Sequence, residues 1–173
     1  CRVSMDGVGK RHSVAGGREG VHKGAVGGIK WDNAAGFQVC TNTTVYKETD
    51  MKEIEELFLY LETLGVDGHQ IAPAYGYSAV NDREIFLTRE DVYEKFKDID
   101  KMAKKFPLVS SPVYMDFLKG DRDLPCTAWG NPTYNVPGWK GPCYLIPDAH
   151  HETFNDLMTH TPRNNYASGP HPR

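Results

Sequence analysis

The feature that most constrains this chain is an alternation. Through residues 1–110, short strand-like runs give way to helix-like runs at a spacing of roughly 30–40 residues. The opening run, CRVSMDG, alternates and ends in Asp-Gly, a strand running into a loop. Residues 8–20 are polar and glycine-rich, and the pattern predicts a loop there. A helix is predicted from Val21 to Ala35, with Val21, Ala25, Ile29 and Trp31 among its apolar positions. Gly24, Gly27 and Gly28 weaken it by up to about 1 kcal/mol each and are expected to let it pack closely on a sheet. Gly36 closes the helix, and FQVCTNTTV (37–45) follows as a β-branched strand. Phe37, Val39, Thr41 and Thr43 share one face of it; Gln38, Cys40, Asn42 and Thr44 share the other.

The next helix has the clearest start. Asp50 serves as N-cap with Glu53 at N3, and Met51, Ile54, Leu57, Phe58, Leu61 and Leu64 form its apolar stripe up to Gly65. Residues 66–78 supply a short strand and a Pro/Gly/Tyr loop. Thr88 with Asp91 opens a helix to Lys105, its buried side marked by Val92, Phe96, Ile99 and Ala103. PLVSS is a short strand, and Ser111 with Pro112 starts a helix ending at Gly120. From residue 121 the pattern breaks into irregular structure, with one short helix near 150–159.

Strand–helix alternation of this kind implies an α/β fold: a parallel sheet with helices packed outside it. Chemistry in such folds sits in the loops after the strand C-termini, and those loops hold Ser4 and Asp6, Asn42 and Thr44, then Pro73, Tyr75 and Tyr77. Composition narrows the classes further. A net charge of −3 argues against nucleic acid as partner, because phosphate binding shows as a basic surplus or stripe. No apolar run approaches the roughly 20 residues of a membrane span, and the opening residues lack the apolar core of a signal peptide. For the four cysteines (Cys1, Cys40, Cys126, Cys143) this favours a cytoplasmic setting with reduced or metal-bound thiols, and with no CxxC pair a self-contained zinc or cluster site within these residues is not expected. There is no GxSxG, P-loop or HExxH. The residues alone lead to a ligand-binding α/β domain.

Several stretches, taken in order, carry a resemblance: VSMDG followed by REGV, then GFQVCTNTTVYKETD, GVDGHQIAPAYGYS, FLTRE and CTAWGNPTYNVPGWKGPCYLI. Together they resemble the radical S-adenosylmethionine enzymes of hopanoid biosynthesis. The resemblance implies that residues 1–120 are the C-terminal part of a partial (β/α)6 barrel, followed by an irregular, cysteine-containing extension over 121–173. It also implies a longer parent, whose N-terminal part carries the CxxxCxxC thiolates of a [4Fe–4S] cluster. One electron from that cluster cleaves the cofactor's sulfonium bond, and the deoxyadenosyl radical adds to a terminal alkene of the triterpene hopene, giving adenosylhopane. An electron donor such as flavodoxin or ferredoxin, and contact with a membrane surface, follow from the same chemistry. Two other readings stand beside it: a radical enzyme acting on another lipid or small molecule, and a non-catalytic binding module. The missing CxxxCxxC favours the last.

For the site, the resemblance places Ser4 at the cofactor ribose and Asn42 and Thr44 on the face turned into the barrel. It lays Ile71, Pro73 and Tyr75 along the adenine. Each has a plainer reading. Ser4 can cap a turn, Asp6 can support the Asp-Gly turn, Asn42 can bond neighbouring backbone, and Pro73 can simply end a strand. Cys40 reads as a small core residue. Cys126 and Cys143 read either as ligands of a second cluster or metal, or as buried thiols in a rigid cap stiffened by Trp129, Pro132, Pro137, Trp139 and Pro142. The histidines are scattered; the adjacent pair His150–His151, near an expected helix start, reads as solvent-facing rather than metal-binding.

Overall fold

The computed structural model describes residues 1–7, 20–76, 84–124, 132–141 and 149–161. The chain divides into two units, Cys1–Asp123 and Leu124–Arg173.

In the first unit, three parallel strands lie side by side in chain order: β1 (Arg2–Ser4), β2 (Cys40–Val45) and β3 (Gly68–Pro73). Helix α1 (Val21–Ala34) connects the first pair and α2 (Met51–Thr63) the second. Beyond β3 come α3 (Arg89–Phe96), α4 (Ile99–Lys105) and α5 (Pro112–Lys119). The expected strand at PLVSS is reduced to one parallel bridge between His69 and Leu108, in which the His69 N–H donates to the Pro107 carbonyl and the Val109 N–H to the His69 carbonyl, both at 2.9 Å.

The helices gather on one face of this sheet. Thr41, Thr43 and Val45 alternate inward along β2, in register with His69, Ile71 and Pro73 of β3. Met5, Val45 and Ile71 share a core with Ile29 of α1, Ile54, Leu57, Phe58 and Leu61 of α2, Phe96 of α3 and Ile99 and Met102 of α4. Burying each large side chain contributes about 1.5–3 kcal/mol. Two buried hydroxyls face the same way and are satisfied locally: Thr43 Oγ1 donates to the Met5 carbonyl at 2.7 Å, and Thr41 Oγ1 lies 2.9 Å from His69 Nδ1.

Helix starts follow their local chemistry. Asp50 accepts from the Lys52 N–H, and Ser111 from the Tyr114 N–H. Thr88 and Asp91 form a reciprocal capping box. Replacing Thr88 with Ala leaves the first turn of α3 without its acceptor; we expect a loss of about 1 kcal/mol, read as a shifted denaturant midpoint with unchanged slope.

Three expectations are corrected. The glycines of α1 do not pack on the sheet: Ile29 sets the buried side, a Cβ at Gly24, Gly27 or Gly28 would meet nothing within 4 Å, and Trp31 is 80% exposed. The single helix expected from Thr88 to Lys105 breaks at Lys97–Asp98; Phe96 and Ile99 are buried as expected, and Met102 is buried with them while Ala103 is half-buried. The segment after 121 is not wholly irregular. Thr133–Asn135 (β4), Gly138–Gly141 (β5) and Ala149–His151 (β6) form an antiparallel sheet in sequential order, followed by α6 (Phe154–His160). There Trp139 meets the rings of Tyr134 and Phe154 edge to face, at 5.3 and 4.9 Å. His150 and His151 therefore sit on a strand rather than at a helix start. The side chain of His150 is exposed, and His151 Nε2 lies 3.3 Å from Thr161 Oγ1.

Candidate functional site

The face of the parallel sheet away from the helices is polar. Because the strands are parallel and in register, residues opposite one another share a face. Ser4 pairs with Asn42, and Asn42 with Gln70, so one hydroxyl and two carboxamides form a row across all three strands. The next level toward the strand ends pairs Thr44 with Ala72. Asp6, just past β1, joins that level through its side chain: the Thr44 N–H donates to Asp6 Oδ1 at 2.7 Å. One level below the row, Cys40 pairs with Gly68. A Cβ built on Gly68 would stand 2.6 Å from Val109 Cγ1 and 3.4 Å from Cys40 Sγ, so glycine makes room there for Val109 and the thiol.

Ser4 is exposed, and Asn42, Thr44 and Gln70 are half-buried. Within the described residues, the side chains of Ser4, Asn42 and Thr44 enter no hydrogen bond, whereas Gln70 Oε1 is sealed from solvent with no partner. A buried unpaired acceptor costs about 1–3 kcal/mol.

The other expected positions separate. Ile71 is fully buried in the helix-side core, on the face opposite Asn42, leaving only its backbone near the strand end. Pro73 is the last residue of β3, in register with Val45; it donates nothing to the ladder, which resumes where the Ala74 N–H donates to the Val45 carbonyl at 2.8 Å. Tyr75 follows, 53% exposed. Cys126 and Cys143 lie outside the described residues. Among the described residues, no group of three His, Cys, Asp or Glu side chains is placed to hold a metal ion.

Gln70 was missed in the sequence. The signal for it was the period-2 alternation of GHQIAP, which sets Gln70 on the face opposite Ile71. What the string conceals is that Asn42, 28 residues earlier, lies beside it.

His69, one residue earlier and on the core face, is the other polar side chain of note. It is fully buried, stacked on Phe58 at 4.2 Å and edge-on to Phe106, with Nε2 unpartnered. Burial pushes its pKa down from 6.5 to about 4, so the ring is neutral at physiological pH.

The fold and this face define an α/β domain with a parallel sheet that presents polar side chains at its strand ends. Residues 69–173 match the model of a domain of unknown function, DUF3463, and the chain belongs to that family. The matched region begins within β3, so Gln70 falls inside it while Ser4, Asp6, Asn42 and Thr44 precede it. No curated protein matches the chain. No helix among the described residues is long and apolar enough to cross a membrane.

Proposed function

We propose that the chain is the C-terminal part of a radical S-adenosylmethionine enzyme, and that its parallel sheet is an arc of a partial (β/α)6 barrel. The reaction of the full enzyme on this reading is transfer of the 5′-deoxyadenosyl group to hopene, giving adenosylhopane. One observation carries the reading. Three parallel strands added in chain order keep their helices on one side and set Ser4, Asn42 and Gln70 in a single row on the other, with Asp6 bonded to Thr44 at the strand ends. Sheets wound in one direction with helices on one face are the unit from which barrels close, and their ligands sit at the strand C-termini.

The polar row fits an adenosine-bearing cofactor: the open amides and hydroxyls match ribose hydroxyls, and the partnerless oxygen of Gln70 calls for a donor. The described residues do not supply a cluster's ligands, so those belong, on this reading, to a CxxxCxxC segment ahead of Cys1. S-adenosylmethionine, when bound, supplies the adenosyl group. Asn42 and Gln70 hold and orient its sugar, Asp6 fixes the backbone at Thr44, and the residues after Pro73 border the base. A flavodoxin- or ferredoxin-type electron donor, and a cytoplasmic site at the membrane surface where a triterpene partitions, complete the proposal.

The test is the longer protein with its cluster reconstituted, given reductant, S-adenosylmethionine and hopene. Adenosylhopane is the expected product, and Asn42→Ala is expected to lower its yield about tenfold or more through lost cofactor positioning. Release of 5′-deoxyadenosine without adenosylhopane would remove the substrate and keep the class; neither product would remove both.

A further inference from the structure

We propose that the outward face of α1 is a docking surface for an anionic lipid bilayer, with Trp31 as its anchor and Lys23 and Lys30 as its contacts to the headgroups. The proposal rests on the reading above only for why an enzyme of this kind works at a membrane; the surface itself is read from α1. That helix is held from two sides. Ile29 enters the core beneath it, and toward α2 the His22 ring stacks on Tyr60 at 6.0 Å while Asn33 Nδ2 donates to the Leu64 carbonyl at 2.6 Å. The remaining side is open, and its exposed positions hold Lys23, Lys30 and Trp31 and otherwise only glycine and alanine. Trp31 has Gly27, Gly28, Ala34 and Ala35 at its i−4, i−3, i+3 and i+4 positions, so no neighbour on its own helix covers the indole, which stands 80% exposed.

Lys23 and Lys30 are two helical turns apart, so they share one flank of that face, about 10 Å from one another along the axis. Neither enters an ion pair among the described residues, and the one acid of the helix, Asp32, is half-buried and off this face. Unpaired positive charge beside a projecting indole complements anionic headgroups: indoles settle at the headgroup boundary, and lysine stems reach the phosphates. Area and charge speak against other occupants. The face is about 20 Å long and one helix wide, about 200 Å², far below the roughly 800 Å² that each partner of a stable protein interface buries. A second copy placed on it two-fold would set four lysines together with no acid among them. The contact is confined to α1, because the outward side of α2 carries Glu56 and Glu62 on either side of Leu59.

The test sediments the full chain with vesicles of phosphatidylcholine, alone or with an equal part of phosphatidylglycerol, at low salt and without cofactor or turnover. The chain is expected to bind the anionic vesicles about thirtyfold more tightly than the neutral ones, each lysine accounting for about fivefold. Gly27 gives the decisive pair of variants, because a Cβ there meets nothing within 4 Å and either substitution improves helix propensity. Gly27→Lys is expected to tighten anionic-vesicle binding about fivefold and Gly27→Glu to weaken it by as much, both melting at or above wild type. Trp31→Ala is expected to weaken binding to both kinds of vesicle about tenfold, and Leu59→Ala, on α2, to change neither. No binding to anionic vesicles overturns the proposal, as does binding that Gly27→Lys and Gly27→Glu leave alike, since the lipid contact then lies elsewhere on the chain. A dimer in sedimentation velocity that Gly27→Glu disperses overturns it in favour of a second copy. Failure here with adenosylhopane still formed by the longer protein removes this surface alone; vesicle binding that follows the variants, with no product formed, keeps the surface and removes the reading above.

Discussion

Lowering the pH from about 6.5 to about 4 is expected to cost the first unit about 3 kcal/mol of stability through His69 alone. The ring is wholly buried between Phe58 and Phe106 and has its one hydrogen-bonding contact with Thr41. Burial is the sole cause that lowers its pKa, so no neighbouring charge offsets protonation. The sign follows from proton counting. Between the unfolded value near 6.5 and the folded value near 4, the unfolded chain binds the proton and the folded chain does not. The contribution is therefore complete above about pH 6.5, falls with pH, and has gone by about pH 4. Denaturant titrations between pH 4 and 7.5 check this. Replacing His69 with Phe, and Thr41 with Val so that no hydroxyl is left unpaired, is expected to flatten the slope in that window. A slope unchanged by the double substitution would assign it to carboxylates elsewhere.

Gly138→Ala is expected to disrupt the small antiparallel sheet, at a cost of about 4 kcal/mol. Gly138 sits at φ +121°, where side chains are strained, and an added Cβ would lie 2.5 Å from the His151 carbonyl oxygen. That neighbour is backbone of β6 and cannot step aside as a flexible side chain does; β5 and β6 must part instead. Amide hydrogen exchange along β5 and β6 is the direct measurement, with protection at Trp139 and Gly141 expected to collapse. Val136→Ser, at the fully exposed tip of the same hairpin, is the matched control and should change stability by less than about 0.5 kcal/mol.

These two residues also mark where the sequence was legible and where it was not. Elements whose causes are local were readable: the Asp50, Thr88 and Ser111 caps, the apolar stripe of α2, and the alternation that puts Asn42 and Thr44 together on one face. Features decided by partners distant in the chain were not. The break at Lys97–Asp98 divides a run whose apolar spacing, Val92, Phe96, Ile99, continues across it, so the period alone does not mark it. The strands of the second unit are three or four residues long and interrupted by proline and glycine, too short for a period to show. The bond between Asp6 and Thr44 spans 38 positions, and the row through Gln70 exists only once the register of three strands is known.

That bond has a thermodynamic consequence. The ladder between β1 and β2 would otherwise end at the Met5 N–H, 2.9 Å from the Asn42 carbonyl; Asp6 carries the connection one residue further, with a side chain standing in for a missing strand. The mouth of the sheet is thus latched before anything arrives. For the cofactor proposed above, this would mean walls already set, with the entropy of ordering them spent during folding rather than at the moment of capture.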